Sequence, residues 1–103
     1  MKLTKRKAIE ITIELWEWCA ETGEHKDDWP GWKACEEMAL DCPLCEYTER
    51  KGKNLDGVCR GCPYYEKFGY CDGDNTPYTR WHYAISLDKQ DAAKEFLAQL
   101  REL

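Results

Sequence analysis

The chain has 103 residues, a formal net charge of −5 and seven cysteines. This length suits one domain with a modest core, so we expect a single domain over residues 1–103. An acidic chain lacks the basic footprint of a general nucleic-acid-binding protein. No apolar stretch matches a signal peptide or a membrane span. We therefore expect a soluble cytoplasmic protein with reduced cysteines and no membrane partner.

The first predicted helix spans residues 4–22. Residues 9–15 alternate as a strand would, but the apolar side chains also fit one helical stripe. Thr4 can cap the start, and Gly23 can end the helix in a left-handed conformation, so we predict a helix. The residues of its apolar stripe are Ile9, Ile13, Trp16 and Ala20, widened by Ala8, Ile11, Leu15 and Cys19.

A turn over residues 27–31 leads into a second predicted helix, residues 30–40. Asp28 is the expected N-cap of this helix. Trp29 and Trp32 flank the turn, and we expect them to fix it against the first helix. The apolar face of the second helix consists of Ala34, Cys35, Met38 and Ala39.

Residues 42–75 hold the strongest chemical signal, two paired-cysteine knuckles. Two thiolates of one C-x-x-C turn can bind the same tetrahedral ion, and a second copy completes a shell of four. The region has five glycines and little apolar periodicity, so we expect a loop region ordered by the metal, with room for a short β-hairpin near 52–57. The predicted zinc ligands are Cys42, Cys45, Cys59 and Cys62.

A fifth cysteine, Cys71, leaves the ligand set open, because it can replace Cys59 or Cys62 if the loop folds back. A closed shell of four thiolates favours zinc. An iron–sulfur cluster and free thiols are the alternatives. Cys19 and Cys35 lie on apolar helix faces, where we expect small buried side chains.

Two more helices are predicted after the cysteine-rich region. Thr76 and Pro77 indicate an N-cap and a first helical position, and a helix over 77–85 would present Tyr78, Trp81 and Ile85. A last helix over 88–102 opens at Asp88. Its apolar stripe is Ala93, Phe96, Leu97, Leu100 and Leu103. The predicted fold class is mainly α: a small helical domain with a zinc-clamped loop region, its first, second and last helices packed around the tryptophans.

The sequence offers little material for catalysis. Ser86 is the single serine, and neither His25 nor His82 has a recognisable nucleophile beside it. We expect His25 to be exposed and His82 to be a surface or core residue. A closed thiolate shell leaves no position for a reacting water. We therefore expect no enzymatic activity.

Charge is distributed unevenly along the chain. Residues 8–50 carry 12 acidic and 3 basic side chains, whereas residues 5–7 are all basic. The acidic segment is typical of a solvated helical face, and it could also meet a basic partner.

Several motifs resemble those of small cysteine-rich proteins common in bacteriophages and prophages. The matching motifs are Leu15-Trp16-Glu17-Trp18, Asp28-Trp29-Pro30, Cys42-x-x-Cys45-Glu46-Tyr47, Cys59-x-x-Cys62-Pro63, Cys71 and Thr76-Pro77-Tyr78-x-x-Trp81. That group has no settled activity, but small phage proteins often bind and block host proteins, including immune effectors. The resemblance thus implies a phage setting. Together with the closed metal shell, the missing catalytic residues and the acidic segment, it leads us to expect a zinc-stabilised, non-enzymatic accessory factor that inhibits a host protein, such as an anti-CRISPR-like inhibitor of a bacterial defence effector. The alternative is a zinc module that binds nucleic acid through residues 5–7, Arg60, Tyr64 and Tyr65.

Overall fold

The computed structural model describes residues 3–35, 38, 42–50, 61–85 and 87–103. These residues are mainly helical and contain no strand, which confirms the predicted fold class. The α-helices are α1 (Lys5–Thr22), α2 (Pro43–Arg50), α3 (Pro63–Phe68), α4 (Pro77–Tyr83) and α5 (Leu87–Leu100). Two 3-10 helices, Lys26–Asp28 and Pro30–Cys35, connect α1 to the region before α2.

Helix α1 begins and ends as its sequence predicts. The Lys7 N–H donates to Thr4 Oγ1 at 3.1 Å, and Gly23 adopts a φ of 75° at the C-terminal end. The buried stripe is rotated relative to the prediction, because Ile9 and Ile13 are only half-buried. The buried side chains of α1 are Ala8, Ile11, Thr12, Leu15, Trp16, Cys19 and Ala20.

Thr12 accounts for part of this rotation. Its side chain is buried, and its hydroxyl donates to the Ala8 carbonyl at 2.7 Å. A hydroxyl bonded inside its own helix no longer needs water, so it can enter the core at low cost. The predicted stripe does not include Thr12 because it was drawn from apolar residues only.

The core lies where α1, α4 and α5 meet. Helix α1 packs against α5 and α2, and α4 packs against α5. Trp16 is in edge-to-face contact with Trp81 and Phe96, at centroid distances of 4.6 and 4.7 Å. Trp81 is fully buried. Helix α4 thus takes the central position that the sequence had suggested for a helix over 30–40.

The second predicted helix, residues 30–40, is wrong in type over residues 30–35, and residues 36, 37, 39 and 40 lie outside the described part of the chain. The chain forms two 3-10 helices instead, with hydrogen bonds from Asp28 N to His25 O and from Trp32 N to Trp29 O. The Trp29 ring lies so close to Gly31 that a Cβ there would be 2.2 Å from it. The Trp32 indole donates to the Lys26 carbonyl at 2.7 Å. These local contacts favour the tighter turns over a regular α-helix.

The loop predicted for residues 42–75 is also a correction, because it contains α2 and α3. Pro43 and Pro63 each begin a helix, the position at which a missing N–H is tolerated. Leu44 and Tyr64 are nearly fully buried, so this region contributes its own apolar side chains to the core. The hairpin expected near 52–57 lies outside the described residues.

The last two helices follow the prediction with one exception. Thr76 caps α4 by accepting from Thr79 N at 3.3 Å, and Pro77 follows it. Helix α4 ends at Tyr83, and the Ile85 side chain is 79% exposed. The expectation that Ile85 extends the buried stripe of α4 is therefore wrong. The predicted stripe of α5 is confirmed, with Leu103 half-buried and the others buried: Ala93, Phe96, Leu97 and Leu100.

Candidate metal centre and acidic face

The described cysteines of both knuckles lie at helix N-termini. Cys42 immediately precedes α2 and Cys45 is in its first turn, while Cys62 is the N-cap residue of α3. Backbone N–H groups at the start of a helix favour negative charge, and this favours a thiolate over a thiol. Cys71 lies in the turn between α3 and α4.

Three of the predicted site cysteines share one cavity of about 210 Å³, namely Cys42, Cys45 and Cys71. Its apolar wall comes from α1 and α5, through residues such as Trp16 and Phe96. The remaining lining residues are Leu15, Lys26, Asp72 and Tyr78. The cavity therefore joins the cysteine-rich segment to the helical core.

The Cys42 thiol is more acidic than an ordinary cysteine thiol. Its pKa is lowered to about 7, first by a side-chain hydrogen bond with Cys45. Burial opposes this shift, while backbone hydrogen bonds from Cys45 and Leu44 and the charge of Lys26 add to it. Near neutral pH, a thiol with this pKa is substantially ionised, the form that binds metals.

Two tyrosines border the cysteines, and burial raises the pKa of both. The pKa of Tyr64 rises to about 12, mainly through burial and next through the negative charge of Cys71, with a smaller contribution from Cys62. The Tyr64 hydroxyl donates to Gln99 Oε1 at 2.5 Å. Burial is also the main cause of the raised pKa of Tyr78, with smaller effects from Cys71 and Cys42. Both phenols therefore stay protonated at neutral pH.

The predicted ligand set is only partly described. Cys62 is buried at the start of α3, and Cys59 lies outside the described residues. Within the described parts of the chain, no three His, Cys, Asp or Glu side chains form a group arranged to hold an ion. The structure brings Cys42 and Cys45 to the same cavity as Cys71, which the sequence had offered only as an alternate ligand.

Lys26 is the site residue that sequence reasoning missed. Its side chain lines the cavity, and the residue is only 7% exposed. The ammonium lies 5.5 Å from the centroid of the Tyr78 ring. In sequence Lys26 stands beside acidic residues in a turn, where a lysine is typically solvated, so no sequence signal indicated burial.

The other candidate residues lie away from this cavity. The ring of His25 packs on Trp81 at a centroid distance of 4.9 Å, so it is half-buried rather than exposed as expected, and His82 is exposed. Cys19 and Cys35 are buried as predicted. Tyr64 is only 2% exposed, so it cannot stack on a nucleic-acid base as the alternative function requires.

Tyr65 is half-buried, and its ring packs against Tyr70 at 4.9 Å. Arg60 lies outside the described residues. The basic residues 5–7 are exposed at the start of α1, and Arg6 pairs with Glu10 at 3.4 Å. Of the two aromatic residues named for the alternative function, Tyr64 is therefore buried and Tyr65 is half-buried.

One side of α1 is an exposed stripe of carboxylates, which we call the acidic face. Positions 10, 14, 17 and 21 recur every three or four residues and so share one side of a helix. Glu17 pairs with Arg101 at 2.8 Å. Among the described residues, Glu14, Glu21 and Glu24 make no ion pair. The acidic face consists of Glu10, Glu14, Glu17 and Glu21, and Glu24 follows directly after the C-cap residue of α1.

Comparison with known proteins returns no family for this chain. No protein-family model matches it, and no curated protein or solved structure is significantly similar to it. Within the described residues, every helix is too short or too polar to cross a membrane.

Proposed function

We propose that this protein is a zinc-stabilised, non-enzymatic interaction protein whose acidic face binds a basic surface of a host protein. The setting is that of a phage accessory factor acting in the bacterial cytoplasm, where it inhibits a host protein such as a bacterial defence effector. The resemblance to cysteine-rich phage proteins supports this setting. The observation that carries the binding mode is the exposed row of carboxylates along α1.

The acidic face has the properties that electrostatic recognition requires. It lies on the longest described helix, which is fixed to the core by α5 and α2. Glu14 and Glu21 are exposed and lie on the side of α1 opposite its buried residues. Their charges are therefore directed away from the body of the protein. Carboxylates held on a rigid helix attract a basic partner without ordering a loop first.

Zinc has a structural part in this proposal. Segments α2 and α3 have eight and six residues, lengths at which a helix is unstable without tertiary support. An ion bound by cysteines at the start of these helices would join them to each other. Four thiolates suit this role because they form a closed structural site.

The test is capture of partners from a bacterial lysate by the immobilised protein, followed by a purified binding assay. We expect a specific protein with a basic surface to be recovered, and the captured complex to weaken as salt rises from 0.05 to 0.5 M. At 0.1 M salt the screening length is about 10 Å, so higher salt shortens the range of the attraction. The double variant Glu14→Gln/Glu21→Gln should bind about 5- to 10-fold more weakly, because each exposed charge contributes up to about 1 kcal/mol.

A matched control removes two charges elsewhere on the surface. Asp74 and Asp91 are exposed and lie outside the acidic face, so Asp74→Asn/Asp91→Asn should bind as tightly as the unaltered protein. Equal loss in both double variants would show a dependence on net charge only. Binding that is insensitive to salt and to the glutamine substitutions would contradict the proposal.

A further inference from the structure

We infer that Cys71 is a ligand of the zinc centre together with Cys42 and Cys45, and that Lys26 balances the charge of this centre. In this assignment Cys71 replaces one cysteine of the second knuckle in the shell. This inference rests on the zinc part of the proposed function and is independent of the acidic face.

The shared cavity carries the assignment of Cys71. Cys42, Cys45 and Cys71 all line it, although they lie on different parts of the chain. Cys42 and Cys45 belong to the N-terminal end of α2, whereas Cys71 belongs to the turn before α4. Binding an ion requires these side chains to turn toward a common point, since no three of the described His, Cys, Asp or Glu side chains form such a group as they lie.

The turn that carries Cys71 is held to the next helix by hydrogen bonds. Thr76 Oγ1 lies 2.5 Å from the Cys71 carbonyl oxygen and accepts from Thr79 N at the start of α4. Gly73 N donates to the Tyr70 carbonyl at 3.4 Å in the same turn. The backbone of Cys71 is therefore positioned by contacts that do not involve a metal, so the turn holds its side chain at the cavity before any ion binds.

Lys26 lies in the same cavity as these thiols and is only 7% exposed. A lysine is seldom buried unless it is paired. The Asp72 carboxylate also lines this cavity and the Lys26 side chain hydrogen-bonds with Tyr78, so the zinc centre would add to a polar environment that Lys26 already has. Zinc with four thiolates carries a net double negative charge. A buried ammonium beside this centre lowers the cost of burying that charge, and the centre lowers the cost of burying the ammonium.

The direct experiment measures alkylation of each cysteine by N-ethylmaleimide in the full-length protein, once with zinc bound and once after chelation. Trypsin cleavage at Arg60, Lys67 and Arg80 separates Cys59, Cys62 and Cys71 into different peptides, so the peptide masses give the labelling of each of these three thiols. Cys42 and Cys45 share the tryptic peptide 34–50 with Cys35, and fragment ions assign the label within it. A zinc-bound thiolate is a poor nucleophile, and we expect on the order of tenfold slower labelling of Cys42, Cys45 and Cys71 with zinc bound. One of Cys59 and Cys62 should be protected in the same way, and the other should not.

Three outcomes would overturn the assignment. Equal labelling of Cys71 with and without zinc excludes it from the shell. Zinc protection of both Cys59 and Cys62 without Cys71 restores the two-knuckle site. A protein that neither contains zinc nor binds added Zn²⁺ removes the centre altogether, while capture of a partner by the acidic face would still stand.

Variants separate loss of a ligand from loss of folding. Cys71→Ser should contain less than one zinc per chain and bind added Zn²⁺ more weakly, whereas Cys19→Ser alters a buried thiol outside the cavity and should keep its zinc. Helix content by circular dichroism is measured for both. If Cys71→Ser unfolds, the alkylation pattern of the unaltered protein decides the question.

Lys26 has its own comparison. Lys26→Met should release its zinc at a chelator concentration about 5- to 10-fold lower than the unaltered protein requires. Lys26→Arg should retain most of the zinc affinity because it keeps the positive charge. Lys33→Met changes an exposed lysine and should have no effect. Equal zinc affinity in Lys26→Met and Lys33→Met would overturn the role of Lys26.

Discussion

Cys19 shows how burial alone sets the chemistry of a residue. The side chain lies on the inner side of α1 and has no exposed surface. Burial raises the pKa of its thiol to about 12, although the charges of Lys26 and Lys89 act in the opposite direction. At neutral pH this thiol is protonated and shielded, so it behaves as a small apolar side chain rather than a metal ligand.

This raised pKa predicts a loss of stability in alkali. Between the ordinary pKa of 9.0 and the folded value of about 12, the folded state holds a proton that the unfolded state has released. The stabilisation is complete below pH 9 and falls as the pH rises, by up to about 1.4 kcal/mol per pH unit for one group. Urea unfolding measured from pH 8 to 10.5 should show a steeper decline in the unaltered protein than in Cys19→Ala.

Tyr64 contributes to the same decline at somewhat higher pH, because its pKa is also raised to about 12. This contribution is present in both proteins and cancels in the comparison. Parallel pH profiles of the unaltered protein and Cys19→Ala would contradict the burial argument.

Trp81 has a buried indole N–H without a hydrogen-bond acceptor among the described residues. Its side chain is fully buried, and no described residue accepts a hydrogen bond from Nε1. Other contacts of the ring offset the cost of this unsatisfied N–H. Trp16 packs edge-to-face against the ring, and the Lys89 ammonium lies 4.4 Å from its centroid. Lys89 also donates to the Trp81 carbonyl at 2.9 Å, which joins α4 to α5.

At the scale of elements, two helix caps of the same type have different surroundings. Thr4 Oγ1 accepts from Lys7 N at an exposed end of α1. Thr76 caps α4 in the same way, and its hydroxyl also lies 2.5 Å from the Cys71 carbonyl oxygen. The second cap therefore orders a cysteine-bearing turn as well as a helix.

This difference predicts different results for the two alanine variants. Each of Thr4→Ala and Thr76→Ala should lower the free energy of unfolding by about 0.5–2 kcal/mol, the usual cost of a lost cap. Thr76→Ala should in addition weaken zinc binding, because the turn that carries Cys71 loses its hydrogen bond. Chemical unfolding and chelator competition measure the two effects separately. A similar loss of zinc affinity in Thr4→Ala would show that the effect is one of general stability.

The elements differ in how well the sequence predicted them. Helices α1 and α4 have threonine caps, α1 also has a left-handed glycine at its end, and α5 has a regular apolar stripe, so local signals were sufficient. Helices α2 and α3 are too short for a periodic pattern, and the cysteines and glycines around them indicated a loop. Their stability comes from tertiary contacts such as the Tyr64–Gln99 hydrogen bond, which joins residues 35 positions apart. Local signals do not contain such contacts.

The sequence predicts which type of residue forms the candidate site, but not the full set of residues that line it. The C-x-x-C spacing indicated Cys42 and Cys45, and both line the cavity. The position of Cys71 depends on how α3 and α4 fold back on α1 and α5, which spacing cannot show. The burial of Lys26 likewise follows from its neighbours in space.

At the scale of the whole molecule, the described residues form a central helical core and a less firmly attached cysteine-rich segment. Helices α1, α4 and α5 share a core centred on Trp16, Trp81 and Phe96. Helices α2 and α3 attach to it through fewer large side chains, chiefly Leu44 and Tyr64. If a metal orders the cysteine-rich segment, its removal should therefore affect the two parts differently.

We expect chelation to increase amide hydrogen exchange in residues 43–50 and 63–68 by about tenfold or more, with a much smaller change in the buried turns of α1 and α5. Local opening of a weakly attached segment leaves the remaining core protected, because stability is not uniform across a fold. Hydrogen-exchange mass spectrometry of the zinc-loaded and chelated protein measures this, and re-addition of zinc should restore the slow exchange. Equal loss of protection in α1 and α5 would instead mean that the ion holds the whole domain as one cooperative unit, and unchanged exchange throughout would mean that no metal orders the cysteine-rich segment.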